Sequence, residues 1–152
     1  MKLFSTTDEK QRQYLVIGAG RLGANLANDL SERGEDVVII DKTKSAFRKL
    51  APSFGGMTIT GDATNLSVLT EAQIEKAAVV IVVTDEDNTN IMISQLAKVL
   101  FNKKQVISRL YDPERKSVYE DFDIQLIYPA ILSVNEITRM LATQKQIGAE
   151  IH

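Results

Sequence analysis

The chain contains 152 residues, of which 44% are hydrophobic and 25% are charged, a balance that indicates one globular domain of ordinary size. Its formal net charge of −2 gives no electrostatic reason to expect nucleic acid, because such binding depends mainly on lysine and arginine neutralising phosphates. The chain has no cysteine, which excludes disulfides, thiol nucleophiles and cysteine-based zinc sites.

Residues 1–13 form a polar N-terminal arm that lacks the apolar core of a secretory signal peptide. No apolar run in the chain reaches the roughly 18 residues that a membrane-spanning helix needs, so direct membrane insertion is not expected. We therefore expect a cytoplasmic protein whose folded domain covers residues 14–144.

Six short apolar runs follow the arm, and they are nearly continuous instead of alternating with polar residues. Such runs are typical of parallel strands that are covered on both faces of a sheet. They are YLVI (14–17), VVII (37–40), MTIT (57–60), VVIVV (79–83), QVISRL (105–110) and IQLIY (124–128).

Segments with helical spacing of apolar residues separate these runs. They lie around residues 22–30, with a stop near Gly34, and around 66–74, 91–101 and 130–144. The regular alternation predicts an α/β fold of the Rossmann type, with a doubly wound, six-stranded parallel sheet, strand order 3-2-1-4-5-6 and helices on both faces.

Gly18, Gly20 and Gly23 form a G-x-G-x-x-G pattern directly after the first run. The first glycine of this pattern permits a sharp turn, the second lets backbone approach a pyrophosphate, and the third lets the helix pack closely. The helix N-terminus then offers unpaired N–H groups to an anion. Asp41 follows the second run, about 20 residues after the first glycine. An acid that accepts hydrogen bonds from ribose hydroxyl groups is expected at this position. It disfavours a 2′-phosphate, although Lys42 beside it weakens that exclusion.

Arg21 stands between the second and third glycines, and two interpretations are open. It is either a solvated helix residue that pairs with a carboxylate or a cation at the phosphate end of the site. In the second case its guanidinium fork reaches oxygens that backbone amides do not. That interpretation favours terminal phosphates, so mono-, di- and triphosphate nucleotides are candidates beside NAD.

Two polar segments follow the third and fourth runs, at the sheet edge where ligands of this fold bind. In GDATN (61–65), Gly61 and Asp62 either contact an adenine or its ribose or form a turn and a helix cap. In TDEDNTN (84–90), Thr84 is a candidate for lining the pocket. The acids at 85–87 are expected to serve the positive end of the next helix and not to bind metal.

The sequence lacks the groups that a dehydrogenase needs. The single histidine is His152, and none of the four tyrosines is followed four residues later by lysine, as in short-chain dehydrogenases. There is also no room for a substrate domain. A nucleotide-responsive switch is therefore expected and not an enzyme. The alternatives are a small NAD-dependent oxidoreductase completed by another chain and a nucleotide-binding module of some other transporter.

Taken together, VIGAGRLG, VVIIDK, ITGDATNLSVL, VVIVVTDEDNTNI, ISRLYDPE and IYPA resemble the RCK (KTN, or TrkA-N) domain of Trk and Ktr potassium-uptake regulators and of ligand-gated potassium channels. The resemblance covers about residues 14–141. It implies a non-enzymatic regulator that binds an adenine nucleotide, either NAD or NADH or one of AMP, ADP and ATP. It also implies a homodimer or higher ring that acts on a membrane-embedded potassium transporter subunit.

The resemblance further implies a set of nucleotide contacts after the strands. They are Gly18, Ala19, Gly20, Arg21, Leu22, Gly23, Asp41, Lys42, Gly61, Asp62, Ala63, Thr84 and Arg109. Arg109 would lie near the phosphates at the end of the fifth strand. The alternative for this residue is a partly buried arginine that pairs with a neighbouring acid.

The C-terminal part departs from the family pattern. Many relatives carry a second RCK subdomain after the crossover helix, whereas residues 145–152 are expected to be only a tail, with no second subdomain. The final helix carries Ala130, Val134, Ile137 and Leu141 in one stripe. This stripe either covers the sheet or is buried in a homodimer.

Overall fold

A computed structural model describes residues 12–151 of the chain, and its centre is a six-stranded sheet. The strands are β1 (Gln13–Ile17), β2 (Asp36–Asp41), β3 (Met57–Thr60), β4 (Val79–Val82), β5 (Gln105–Arg109) and β6 (Gln125–Ile127). Their order is β3-β2-β1-β4-β5-β6, and every neighbouring pair is parallel. The predicted fold class and strand order are confirmed.

Helical segments connect the strands. The α-helices are α1 (Arg21–Glu32), α2 (Leu66–Glu71), α3 (Asp87–Gln95) and α4 (Pro129–Ile151). Shorter segments are the 3-10 helices Lys44–Lys49, Ile74–Lys76 and Pro113–Tyr119 and the π-helical turn Leu96–Leu100, which continues α3. The 3-10 helix after β2 was not predicted, because its six residues carry little apolar periodicity.

The core lies on both faces of the sheet, which explains the continuous apolar runs. Successive side chains of β1 point to opposite faces, yet both faces are buried. Leu15 and Ile17 pack in one cluster with residues of α2 and α3, whereas Val16 packs in a second cluster with residues of α1. Full burial of each such aliphatic side chain contributes about 1.5–3 kcal/mol. The two layers therefore hold the sheet from both sides.

The N-terminal boundary differs from the prediction by one residue within the described part. Gln13, predicted to lie in the arm, is the first residue of β1, where its carbonyl accepts a hydrogen bond from the Ala78 amide at 2.8 Å. Residues 1–11 of the predicted arm lie outside the described residues.

Helix α3 begins earlier than its apolar residues predicted. Its first turn lies inside the polar TDEDNTN segment, because Asp87 is anchored there by tertiary contacts and not by apolar burial. The Asp87 carboxylate accepts hydrogen bonds from the amides of Tyr111 at 2.8 Å and Asp112 at 3.0 Å. The expected role of the acids at the positive end of α3 is found for Asp87, which lies in its first turn, whereas the N-cap residue Glu86 makes no side-chain cap hydrogen bond.

Helix α4 runs to Ile151, through most of the segment that was predicted to be a tail. Its apolar stripe does not cover the sheet: Val134, Ile137 and Leu141 are 60%, 56% and 64% exposed. The first of the two alternatives for this stripe is therefore wrong. Among residues 12–151, no helix has both the length and the hydropathy needed to cross a membrane.

Two of the loop glycines are required by close backbone contacts. Gly18 has φ +107°, and a Cβ placed there would lie 2.9 Å from the Thr84 nitrogen. A Cβ on Gly23 would lie only 1.7 Å from the Gly18 carbonyl oxygen. Gly20 differs from both, because it has φ −71° and nothing lies within 4 Å of its Cβ position.

We predict that Gly23→Ala lowers the free energy of unfolding by about 2 kcal/mol or more, because the added methyl group must displace backbone. Gly20→Ala, the matched control in the same loop, is expected to change it by less than about 0.5 kcal/mol. Urea unfolding followed by circular dichroism measures both. Equal losses for the two variants would contradict this account of the turn.

Candidate functional site

A cleft of about 420 Å³ lies beyond the carboxyl ends of the strands. The chain leaves β1 toward β2 on one side and meets β4 on the other, so the strand order reverses between β1 and β4. Ligands of doubly wound folds bind at this switch point. The loops after β1, β2, β3 and β4 and the end of β5 all contribute to the cleft wall.

The glycine loop forms the centre of the cleft wall. Gly18, Ala19 and Gly20 line the cleft, and the Gly18 amide donates to the Ile40 carbonyl at 2.8 Å, which ties the loop to β2. The first helical hydrogen bond of α1 is donated by Ala24 to Gly20. The amides of the first turn therefore precede the helical ladder and are available to an anion.

Arg21, Leu22 and Gly23 form that first turn, and none of the three lines the cleft. Arg21 is exposed and forms no ion pair with any residue in the 12–151 range, so the predicted pairing with a carboxylate is not found. Leu22 packs against the core on the α1 face of the sheet. Gly23 gives α1 its close approach to the loop.

Asp41 closes the loop through both carboxylate oxygens. Oδ2 accepts the Ala19 amide at 2.8 Å, and Oδ1 accepts the Thr43 amide at 2.8 Å. An ionised carboxylate offers about four acceptor positions, so each oxygen keeps one for another donor. Asp41 therefore shapes the loop and can also accept hydrogen bonds from vicinal hydroxyl groups.

The GDATN segment brings Gly61, Asp62 and Ala63 to the same wall. Asp62 forms a turn, because its Oδ1 accepts from the Thr64 amide at 2.9 Å and from the Thr64 hydroxyl at 2.6 Å. These bonds, together with the Lys42 ammonium 3.9 Å away, lower the pKa of Asp62. The helix cap proposed for Asp62 is supplied instead by Asn65, which accepts from the Ser67 amide.

Thr84 and Arg109 line the cleft at the ends of β4 and β5. The Arg109 guanidinium donates to the Val83 carbonyl at 2.9 Å and to the Thr84 carbonyl at 2.7 and 3.2 Å. It also lies 4.8 Å from the Tyr111 ring centroid. The alternative that Arg109 pairs with an acid is therefore wrong, because its described partners are main-chain oxygens. Its two Nη1 donors make no bond within the described residues.

Asn90 is a site residue that the sequence analysis missed. Its side chain is 0% exposed; the oxygen accepts from the Thr84 amide and hydroxyl, and the amide nitrogen donates to the carbonyls of Thr84 and Arg109. A signal was available in the helical spacing. Asn90 shares the buried face of the α3 segment with Ile93, Ser94 and Ala97, and it is a polar residue in an apolar position.

Arg48 and Lys49 were also missed, because they lie on the unpredicted 3-10 helix after β2. Both line the cleft, and the Lys49 ammonium donates to the Ala19 carbonyl at 3.4 Å. With Lys42 and Arg109 they give the wall a set of cations, although Asp85 and Glu86 also line it. Among residues 12–151 no group of three or more histidines and acids is arranged to hold a metal ion.

This cleft thus combines an acid that can bind hydroxyl groups, a helix N-terminus and several cations. These are the groups that recognise ribose and phosphate.

Known protein families and relatives match the part of the chain that forms the sheet and the cleft. The TrkA-N domain model matches residues 14–129. The Trk system potassium uptake protein TrkA of Streptomyces coelicolor is 35% identical over 127 residues, which are 84% of this chain and 57% of that protein. The TrkA homolog of Pyrococcus horikoshii is 37% identical over 138 residues, or 86% of this chain and 60% of that protein.

A solved structure of GsuK bound to ADP superposes with a TM-score of 0.72 at 24% identity, covering 88% of this chain and 34% of that one. At this identity the likeness shows the shared fold. The chain spans little more than half the length of the two TrkA relatives. Because the domain model matches most of the chain and these relatives align over the same residues, the chain belongs to the TrkA-N (RCK) domain family.

Proposed function

We propose that this chain is a cytoplasmic, non-catalytic regulatory unit of a potassium transport system, which binds an adenine nucleotide and thereby alters a membrane-embedded potassium transporter subunit. The nucleotide is NAD or NADH, or one of AMP, ADP and ATP. The observation that carries the proposal is the Asp41 carboxylate, held against the glycine loop inside the cleft. The names of the TrkA relatives support the transport role.

The proposed binding mode places the ribose at Asp41, whose remaining acceptor positions suit two neighbouring hydroxyl groups. The adenine lies along the wall formed by Gly61, Asp62 and Ala63. The phosphates point to the N-terminus of α1, where the amides of its first turn and the dipole of the helix favour negative charge. GsuK, which shares the fold, has been solved with ADP bound.

Cations complete the proposed phosphate end. Arg109 contributes its two Nη1 donors from the cleft wall. Arg21 lies on the exposed first turn of α1, where only a ligand that extends past the glycine loop meets its guanidinium. Terminal phosphates of ADP or ATP are such groups, whereas the pyrophosphate of NAD lies between two ribosyl groups.

A regulatory role, instead of catalysis, is supported by the chemistry of the cleft wall. Several of its polar residues bond to main chain or are cations suited to anion binding, as Asp41, Arg109 and Lys49 illustrate. Regulation further requires that the nucleotide binds one conformation or assembly more tightly than another, since equal affinities shift no equilibrium. An oligomer whose subunit contacts differ between states provides such an equilibrium.

The α4 stripe supports the proposed homodimer or larger ring. Val134, Ile137 and Leu141 leave a contiguous apolar face in solvent on a helix of 23 residues. An exposed apolar face of this kind marks an interaction surface. In the proposed assembly, the stripe of one subunit is buried against a second copy of the chain.

A thermal-shift panel of NAD, NADH, AMP, ADP and ATP tests the nucleotide-binding proposal. A ligand present at 100 times its dissociation constant stabilises the folded chain by about 2.7 kcal/mol, which raises the unfolding midpoint by several degrees. GTP serves as the base-specificity control. If no adenine nucleotide raises the midpoint, the proposed function fails.

Asp41→Asn is expected to weaken every bound adenine nucleotide by about 1.5–3 kcal/mol, because hydrogen bonds to a charged acceptor are lost. Isothermal titration calorimetry measures the dissociation constants. Asp36→Asn is the matched control, since it makes the same chemical change at the opposite, exposed end of β2. Unchanged affinity in a folded Asp41→Asn protein would remove Asp41 from the binding site.

Ile137→Asp is expected to convert a dimeric chain into a monomer, because a carboxylate would be buried in the proposed apolar interface. Sedimentation equilibrium gives the mass in solution. Asn135→Asp adds the same charge on the opposite face of α4 and should leave the dimer intact. A wild-type monomer, or a dimer that tolerates Ile137→Asp, would contradict the assignment of this helix to the interface.

A further inference from the structure

The carbonyl oxygen of Thr84 receives more donors than it can bind at full strength. Asn90 Nδ2 lies 3.0 Å from it, Arg109 Nη2 2.7 Å and Arg109 Nε 3.2 Å. A carbonyl oxygen has two lone pairs, so the three donors share two positions. If the Arg109 guanidinium moves away, the Thr84 carbonyl therefore still has a hydrogen-bond donor in Asn90.

Asn90 also fixes the main chain on both sides of this contact. Its Oδ1 accepts from the Thr84 amide at 3.1 Å and the Thr84 hydroxyl at 2.5 Å, while Nδ2 donates to the Arg109 carbonyl at 3.1 Å. One buried amide therefore joins the end of β4 to the end of β5. Both joined residues line the cleft, although Asn90 itself does not.

The first turn of α3 extends this connection past β5. Asp87, one turn before Asn90, binds the amides of Tyr111 and Asp112, and the Tyr111 ring lies under the Arg109 guanidinium. Arg109 is consequently held at its carbonyl through Asn90 and at its side chain through Thr84 and Tyr111. The contacts made by Asn90 and Asp87 come from the first turn of α3, so they depend on where this helix begins.

On the basis of the proposed nucleotide-binding function, we propose that Asn90 is a positioning residue for the nucleotide: it holds Thr84 and Arg109 so that the guanidinium reaches the phosphates. Asn90 acts through Arg109 and does not touch the ligand.

The energetic basis of this positioning role is the conformational freedom that the long Arg109 side chain loses when the nucleotide binds. Arginine pays a large rotamer entropy when it is ordered, and prior placement of the guanidinium removes part of that cost from binding. A buried amide with all its hydrogen bonds formed is a rigid support. An apolar residue in position 90 would match the rest of the buried face but would leave the Thr84 amide without this acceptor.

A double-mutant cycle on ADP affinity tests the proposal with the full chain. Isothermal titration calorimetry gives the dissociation constant of ADP for wild type, Asn90→Ala, Arg109→Gln and the double variant. We expect Asn90→Ala to weaken ADP about tenfold in the wild-type background, from the typical value of one or two hydrogen bonds. In the Arg109→Gln background we expect a loss of about twofold or less, because the group that Asn90 positions is gone.

Ser94→Ala is the matched control, since Ser94 is buried on the same helix face and its hydroxyl has no partner within the described residues. It should leave ADP affinity within about twofold of wild type. Far-ultraviolet circular dichroism checks that each variant is folded. If Asn90→Ala does not fold, Asn90→Asp enters the cycle, because it keeps the shape and an acceptor but loses both donors.

Two results would overturn the positioning role while leaving the proposed function intact. One is wild-type ADP affinity in a folded Asn90 variant. The other is an equal factor of weakening of ADP affinity in both backgrounds, which a purely structural role predicts. If the wild-type chain binds another adenine nucleotide and not ADP, the same cycle is measured with that nucleotide. If it binds no adenine nucleotide at all, the proposed function and this inference both fall.

Discussion

The contact between Gly23 and the carbonyl of Gly18 is the constraint on which the site depends. At 1.7 Å from that oxygen there is no space for a Cβ, so only glycine lets α1 begin directly above the end of β1. That start point aims the helix N-terminus into the gap between β1 and β4. A helix displaced by even one methyl group would move its free amides away from the cleft and disturb the Ala19 contact with Asp41.

Parallel strand pairing assembles the rest of the site from distant parts of the chain. Every strand ends at the same edge, so Asp41, Asp62, Thr84 and Arg109 come together although they are far apart in sequence. Many of these polar groups are bonded to main chain across neighbouring loops. The loops of the cleft wall therefore support one another, and Asn90, buried behind the wall, joins the ends of β4 and β5.

The sheet was predictable because its signal is local and repeated. Each strand is buried on both faces, so its residues form a continuous apolar run instead of alternating with polar ones. The glycine loop and Asp41 were predictable because their spacing is set by a single β-α-β unit. Lys49 and Asn90 were not recognised, since their positions depend on a 3-10 helix and on an early start of α3. The acid partner considered as the alternative for Arg109 was wrong for a related reason: every residue has a main-chain carbonyl, so the sequence does not mark which carbonyls accept a side chain.

The double use of Asp41 limits how the selectivity of this cleft can change over evolution or by design. A switch toward a ligand with a 2′-phosphate requires removal of the negative charge at this position. Here the same carboxylate holds the amides of Ala19 and Thr43, so its loss would also loosen the turn that presents the helix. New selectivity is more accessible at Arg48, which lines the cleft without supporting the loop. Substitutions of Arg48 can change the charge of the cleft while the glycine turn keeps its shape.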